Sequence, residues 1–263
     1  MHILDKIVAQ KVKENAERKA LTPVALLEKS PYFESRTVSM AHYIKRADKS
    51  GIIAEFKKKS PSRPSINLYA DVANVTMGYM QAGASALSVL TDEVFFGGSS
   101  SDLTKARKYN FCPIIRKDFI IDEYQIIEAK SMGADAILLI CEILTKEQVK
   151  TLAAFAVNLG LEVLLELHDE GQLEKYSPDC KLIGVNNRNL DTFEVSLDFS
   201  RNLYSKLPVE AVKIAESGIK SPKEAVDLRK HGYDGFLIGE NFMKSADPGA
   251  AAADFIKEMM AQL

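Results

Sequence analysis

Residues 132–140 read Met-Gly-Ala-Asp-Ala-Ile-Leu-Leu-Ile. A glycine closes one element and a short, unbroken apolar run follows. Glycine there is the usual C-terminal stop of a helix. A continuous run of Ala, Ile and Leu, rather than an alternating one, suits a strand buried on both faces of a parallel sheet. The same pattern recurs outward in both directions. Ala82-Gly83-Ala84 precedes Ala86–Leu90, Leu159-Gly160 precedes Val163–Leu167, and His231-Gly232-Tyr233-Asp234 precedes Gly235–Ile238. With Ile52–Phe56, Pro113–Arg116, Leu182–Val185 and Val212–Ala215, eight such runs repeat at roughly 25-residue intervals.

Helical stretches lie between them, including Ala70–Gln81, Asp122–Met132, Thr145–Leu159, Ser221–His231 and Asp247–Gln262. Several open on a capping residue, such as Thr145 with Glu147-Gln148 beyond it, or Ser221-Pro222. Strand–helix alternation implies right-handed parallel units. Eight units fit a closed barrel better than an open doubly wound sheet, and no GxGxxG follows any strand. Residues 1–263 therefore read as a single (β/α)8 TIM barrel domain of the α/β class, with residues 1–48 as an N-terminal helical extension. Within the extension, Ile3, Leu4, Ile7, Val8, Lys11 and Val12 share one helical face, Thr22-Pro23 opens a second short helix, and a polar connection runs to about residue 50.

The composition is that of a soluble globular protein: 46% hydrophobic and 27% charged among 263 residues. Thirty-four Lys+Arg against 36 Asp+Glu leave a charge of −2, without the basic excess of a nucleic-acid binder. No run approaches the roughly 18 apolar residues of a membrane span, and the charged N-terminus lacks the apolar core of a signal peptide. Cys112, Cys141 and Cys180 have no paired spacing, which points to reduced, packed thiols in a cytoplasmic protein. The histidines, His2, His42, His168 and His231, are scattered without metal-ligand spacing, so no metal is expected.

In an eightfold barrel, function sits where the strands end. Those ends read Glu55-Phe56-Lys57-Lys58-Lys59-Ser60-Pro61-Ser62, Arg116-Lys117-Asp118-Phe119, Glu166-Leu167-His168, Asn186-Asn187-Arg188-Asn189, Glu216-Ser217-Gly218 and Gly239-Glu240-Asn241. Period two puts Glu55 with Lys57, Asn186 with Arg188, and Glu216 with Gly218 on the face aimed into the mouth. By itself Lys57–Lys59 reads as a solvated basic run, and its place at a strand end after Glu55 reverses that reading. Arg116-Lys117-Asp118 and Glu166 also have plain readings as surface charge and ion-pair partner, and His168 reads as a packed or rim histidine. Glycine-bearing loops after the seventh and eighth strands are the usual phosphate cradle of such barrels. The chemistry left is acid–base work by Lys and Glu on an anionic phosphorylated small molecule.

Taken together, these ordered motifs closely resemble the indole-3-glycerol-phosphate synthase family. Ser88-Val89-Leu90-Thr91-Asp92, Phe95-Phe96-x-Gly98-Ser99 and Gly184-Val185-Asn186-Asn187-Arg188-Asn189-Leu190 add to the match, which runs nearly end to end. The resemblance implies a cofactor-free lyase of tryptophan biosynthesis. It would close, decarboxylate and dehydrate 1-(2-carboxyphenylamino)-1-deoxyribulose 5-phosphate to indole-3-glycerol phosphate. It places the general acid on Lys117 and further acid–base groups on Glu166, Lys57 and Glu55. Phosphate is implied at the backbone of Ser217-Gly218 and Gly239-Glu240 with Lys57 near, and the substrate carboxylate at Ser60 and Arg188. The aryl ring falls to Pro61, Phe96, Phe119 and Leu190, and the sugar hydroxyls to Asn186, which joins Lys117, Glu166, Lys57 and Glu55 in the catalytic set. Glu216 joins the substrate-binding set. The N-terminal helical extension, residues 1–48, is expected to cover the barrel mouth, with its first helix over it, and Lys58–Asn67 is expected as a lid. Two residues depart from the family pattern: Glu240 where Ser is common, so that its side chain should turn from the phosphate, and Pro64 where Gly is frequent. A monomer or weak homodimer without nucleic-acid or membrane partners is expected. Two rival readings are another phosphate-binding barrel, such as phosphoribosylanthranilate isomerase or the tryptophan synthase alpha subunit, and a non-catalytic phosphate-binding barrel. The isomerase would need a Cys and Asp pair at strand ends.

Overall fold

The computed structural model describes residues 3–263 apart from 190, 191 and 193. Eight parallel strands close into a barrel in sequential order: β1 (Ile52–Phe56), β2 (Ala86–Leu90), β3 (Ile114–Lys117), β4 (Ala136–Ile140), β5 (Glu162–Leu167), β6 (Leu182–Asn186), β7 (Val212–Glu216) and β8 (Gly235–Ile238). Three helices precede them: α1 (Ile3–Leu21), α2 (Val24–Leu27) and α3 (Met40–Lys45). The outer ring comprises α4 (Val72–Gln81), α5 (Ser100–Tyr109), α6 (Glu123–Met132), α7 (Lys146–Asn158), α8 (Asp198–Leu203), α9 (Pro222–His231), α10 (Glu240–Met243) and α11 (Pro248–Met260). After β5 the crossover is a 3-10 turn, Glu170–Lys175, in place of an α-helix.

The elements form where their end signals lie. Thr145 with Gln148, and Ser221 with Glu224, make reciprocal capping boxes, and Pro222 occupies the first turn of α9. Gly133 and Gly232 take left-handed φ of 89° and 118° and end α6 and α9, which is the role the repeat assigns them.

Strand side chains divide by parity. Ile52, Ala54, Phe56, Leu87, Val89, Ile137 and Leu139 pack outward against the helices. Ile53, Ala86, Ile115, Leu138, Leu164, Leu182 and Ile214 fill the interior, so the barrel is a packed core beneath its mouth. Cys112, Cys141 and Cys180 are free and buried in the outer layer.

The N-terminal segment takes two positions that the sequence reading merged into one. Ile3, Leu4 and Ile7 of α1 line a cavity at the strand C-termini. The polar connection, however, contains α3, whose Met40 and Ile44 pack into the interior cluster. Ser39 Oγ and the Ala41 N–H donate to the Glu162 carboxylate at 2.6 and 2.9 Å, at the start of β5. So α3 closes the N-terminal end of the barrel, and α1 alone reaches the mouth.

The stripe on α1 also differs from the expected apolar one. Val12 is 57% exposed and Lys11 only 1%. The buried row is Ile7, Lys11 and Asn15, spaced four apart. Lys11 Nζ lies 2.8 Å from Asp92 and 3.0 Å from Asp118, which follow β2 and β3, and Asn15 Nδ2 donates to Gln125 Oε1 at 2.9 Å. The face that docks is polar because what it docks on is acidic.

Candidate active site

The mouth encloses a cavity of about 380 Å³. Glu55, Lys57, Lys117, Glu166, Asn186 and Glu216 all line it, each from the inward register of its strand. At the centre, Lys117 Nζ donates to Glu166 Oε2 at 2.7 Å and Glu216 Oε2 at 2.9 Å. Burial alone would lower the ammonium, but Glu166, Glu216 and Glu55 outweigh it and hold Lys117 well above the usual lysine range. The two carboxylates share this cation unequally. Burial and the neighbouring Glu166 push Glu216 up to about 8. Glu166, although buried, is drawn down by Lys117 and then by His168. The pair therefore carries one proton near neutrality, a property of both groups together. On the same cavity wall, Lys57 Nζ donates to Glu55 Oε1 at 2.7 Å, and Ser88 Oγ to Glu55 Oε2 at 3.4 Å.

Two glycines make this crowding sterically feasible. A Cβ on Gly184 of β6 would collide with the Glu216 carboxylate, and one on Gly239 with that of Glu55. Gly239, read as part of a phosphate cradle, thus also makes room for a neighbouring acid.

The run of three lysines resolves into three directions. Lys57 enters the mouth, Lys58 Nζ reaches Asp102 of α5 at 2.8 Å, and Lys59 Nζ donates to the Val94 carbonyl at 2.8 Å. Arg116 and Lys117, adjacent on β3, point to opposite faces. Arg116 is fully buried outside the barrel, where it contacts Thr91, Gln125, Asp118 and Glu128.

The rim carries the other expected residues. Phe96 and Phe119 meet with ring centroids 5.7 Å apart, and both line the cavity with Ser60, Pro61 and Arg188. The Phe96 N–H donates to Asp92 Oδ1 at 3.0 Å and the Phe119 N–H to Asp118 Oδ1 at 2.8 Å. The acids that hold Lys11 therefore also hold the two rings. Leu190 lies outside the described residues. After β7, Ser217 and Gly218 take positive φ of 65° and 79°, a costly conformation for serine of the kind found at functional turns. After β8, the N-cap position of α10 is Gly239, with no side-chain cap on the helix N–H groups. Glu240 lines the same cavity, and its carboxylate lies 3.3 Å from Arg63 Nε on the β1 loop.

Several contributors escaped the sequence reading. Lys220, Asn241 and Lys244 line the cavity beside the loops after β7 and β8. A count of four onward from Glu216 and from Glu240 would have found the two lysines. Asn187 is buried beside the site, where its Nδ2 donates to the Glu216 and Ser217 carbonyls at 2.9 and 3.2 Å while Ser200 Oγ donates to its Oδ1 at 2.8 Å. It fixes the turn that carries Ser217. Its signal was the second Asn of Asn186-Asn187, set opposite in parity to the first.

Cys112 and Cys141 pack in the outer layer and not in the cavity, which removes the Cys–Asp pair the isomerase reading requires. Among the described residues, no group of three or more His, Cys, Asp or Glu is arranged to hold a metal ion.

Comparison with known proteins gives this geometry a family. The model of the family "Indole-3-glycerol phosphate synthase" matches residues 4–255. The indole-3-glycerol phosphate synthase of Bacteroides thetaiotaomicron is 46% identical over 255 residues, covering 97% of this chain and 98% of that protein. That of Polaromonas naphthalenivorans is 42% identical over 260 residues, covering 97% and 99%. Among solved structures, the tryptophan synthase subunit alpha of Legionella pneumophila superposes with a TM-score of 0.61 at 14% identity, covering 85% of this chain and 96% of that one, a likeness of fold alone. On the extent of the family match and the identity to these full-length relatives, the chain belongs to the indole-3-glycerol phosphate synthase family.

Proposed function

We propose that the mouth converts 1-(2-carboxyphenylamino)-1-deoxyribulose 5-phosphate to indole-3-glycerol phosphate, CO2 and water, with Lys117 as the general acid. The observation that carries this is one ammonium held between Glu166 and Glu216 at 2.7 and 2.9 Å at the centre of the cavity. A lysine kept charged there donates to the substrate carbonyl oxygen as the aryl carbon bearing the carboxylate attacks the carbonyl carbon. The carbonyl becomes a hydroxyl with the donated proton. Loss of CO2 then returns the bonding pair to the ring and restores its aromaticity. Dehydration follows: the new hydroxyl leaves as water with a second proton, and a base removes a proton from the neighbouring carbon to form the indole double bond. Lys57, Glu55 and Glu166 stand around the same cavity to supply that second acid and base.

In this reading, phosphate sits on the backbone of Ser217-Gly218 and Gly239-Glu240, with Lys57 near and Lys220 and Lys244 beside it. The substrate carboxylate meets Ser60 and Arg188. The aryl ring packs against Pro61, Phe96 and Phe119, and Asn186 takes sugar hydroxyls. The α1 helix covers the mouth, and the loop from Lys58 to Asn67, pinned by the Ser60 and Arg63 backbone pair at 2.8 Å, is the lid. The pairing of Arg63 with Glu240 bridges lid and phosphate loop, and turns the Glu240 charge toward a cation.

The chain acts on a small phosphorylated molecule without a cofactor, in the cytoplasm, as a monomer or weak homodimer that binds neither nucleic acid nor membrane. The net charge of −2 fits that partner set. No described helix is long and apolar enough to cross a membrane. The large exposed apolar residues Leu21, Tyr69, Phe111 and Val209 lie far apart in the chain, Leu21 at the end of α1 and the others in connecting segments.

The test uses chelator-treated protein, the carboxyphenylamino substrate and the appearance of indole fluorescence, against a chain with no Trp of its own. Metal-independent product formation is expected. Tight binding without product would instead favour the non-catalytic barrel.

A further inference from the structure

His168 has no task in the steps above, and its surroundings call for one. It stands two residues after Glu166 at the end of β5, so the alternation that aims Glu166 inward aims His168 the same way. Its side chain is 6% exposed and lines the mouth cavity. Its backbone N–H donates to Gln172 Oε1 at 2.8 Å, which fixes where the ring is carried. Charged groups face it from three strands: Glu166 on its own, Glu142 beyond β4 and Lys117 on β3, with Asp169 next in the chain. Glu142 is already engaged by Gln172 Nε2. Glu166 Oε1 lies 3.3 Å from His168 Nε2, out of hydrogen-bonding alignment, so both ring nitrogens are left without a hydrogen-bond partner.

Burial outweighs the nearby carboxylates and holds the imidazole below its ordinary range. An uncharged imidazole offers one donor and one acceptor. Buried polar groups in folded proteins are almost always satisfied, so a ring with both nitrogens bare beside a cavity is suited to a partner that arrives with the ligand. The register indicates which part of the ligand that is. β5 and β6 stay in step up to Leu167 with Val185, and the next step sets His168 beside Asn186. With phosphate assigned to the loops after β7 and β8, and the aryl ring to Phe96 and Phe119, the β5–β6 wall is left to the hydroxyl-bearing carbons between them.

We propose that His168 is a substrate-binding residue whose ring hydrogen-bonds a hydroxyl of the substrate's open sugar chain, beside Asn186 and Glu166. This rests on the activity proposed above. The product, indole-3-glycerol phosphate, retains both hydroxyls of that chain. Indole-3-propanol phosphate has the same ring and phosphate and neither hydroxyl. The experiment measures Kd of both compounds by titration calorimetry on the full chain and on His168→Ala and His168→Gln, after wild-type turnover has been verified.

His168→Ala is expected to weaken the product about tenfold, the scale of one hydrogen bond, and to leave indole-3-propanol phosphate within about twofold. His168→Gln, which keeps a donor and an acceptor, should recover part of the product affinity. Because both ligands are measured on the same protein, a general loss of folding cannot imitate the difference. Equal weakening of both ligands would mean a packing role and overturn the proposal, as would no change in either. Failure of the wild type to turn over the substrate would overturn the activity reading itself, and this inference with it.

Discussion

Arg116 and Lys117 are neighbours on β3, yet they face two differently built clusters of buried charge. On the flank, Arg116 and Lys11 meet Asp118, Asp92 and Glu128, and each charge has an opposite charge in contact. The Arg116 guanidinium is further occupied by Thr91 and the Gln125 carbonyl. In the mouth, two carboxylates compete for one ammonium, Glu216 Oε1 has no hydrogen-bond partner, and His168 has none at either nitrogen. Both clusters pay desolvation; on the flank Asp118 meets two cations, and Asp92 Oδ2, which lacks an aligned hydrogen bond, still lies 2.8 Å from Lys11 Nζ. The closely ion-paired cluster fastens: it clips α1 onto the ends of β2 and β3. An unsaturated one keeps bonding capacity for something that enters. Three polar atoms without a hydrogen-bond partner at the mouth, against Asp92 Oδ2 on the flank, rather than charge density, separate the reacting end of this barrel from its fastening.

Substitutions on the two faces of β3 should therefore fail in different ways. The largest effect expected is from Lys117→Ala, which removes the acid: kcat should fall by about 10²–10⁴-fold with substrate affinity largely kept. Single-turnover fluorescence beside equilibrium binding measures the two separately, and near-normal turnover would break the contrast. Lys11→Ala strands Asp92 in a dry site and leaves Asp118 with Arg116 alone as its cation, and should cost about 3–5 kcal/mol of stability, read as a lower urea midpoint. The surviving folded enzyme should show a raised KM, because those two acids also hold the backbone of Phe96 and Phe119.

Next comes pH. Glu216 is raised in the fold to about 8, so the stability it contributes is present in acid and lost as pH rises through about 8. The decline in Tm runs from the ordinary carboxylate range up to about pH 8, and Glu216→Gln should flatten it. Asp118 is buried, but Arg116 and Lys11 depress it, so its contribution is present above the ordinary carboxylate range and lost as pH falls. Asp118→Asn should flatten the acid limb instead. Two variants that altered the same limb would erase the distinction. The smallest effect belongs to the half-exposed pair of Arg63 and Glu240. Glu240→Ser should change stability by under about 1 kcal/mol, while a modest fall in KM at low salt would show relief of repulsion toward the phosphate.

The barrel was legible because its signals are local: a glycine stop, an apolar run, a cap. The inward-facing acids and lysines were legible from parity at strand ends. What stayed hidden depended on distance in sequence. Nothing near Lys11 says that a buried lysine sits in an apolar-looking stripe, because Asp92 and Asp118 lie far along the chain. The Met40–Lys45 helix looked like a polar connection because only Met40 and Ile44 of it are buried, beneath a barrel that local sequence does not reveal. Gly184 looked like a small strand residue until the Glu216 side chain was seen to occupy the space a Cβ would take. The lone pairs of His168 can be judged only once its surroundings are known.

The docking of α1 also bears on folding. Its side-chain ties bridge gaps such as the 110 residues between Asn15 and Gln125, and the 110 between Arg18 and Glu128 of α6. Closing loops of that length is entropically costly until the segments between them are already folded. The helix is thus a late arrival on an assembled barrel and an early departure from it, a cooperative unit of its own in the hierarchy of partial opening. Amide exchange along residues 3–21 should outpace that of β3, which α1 helps to pin. Ile3, Leu4 and Ile7 leave the mouth each time that unit opens, so the lifetime of a closed reaction chamber is set by the stability of a clasp on the barrel's outer flank.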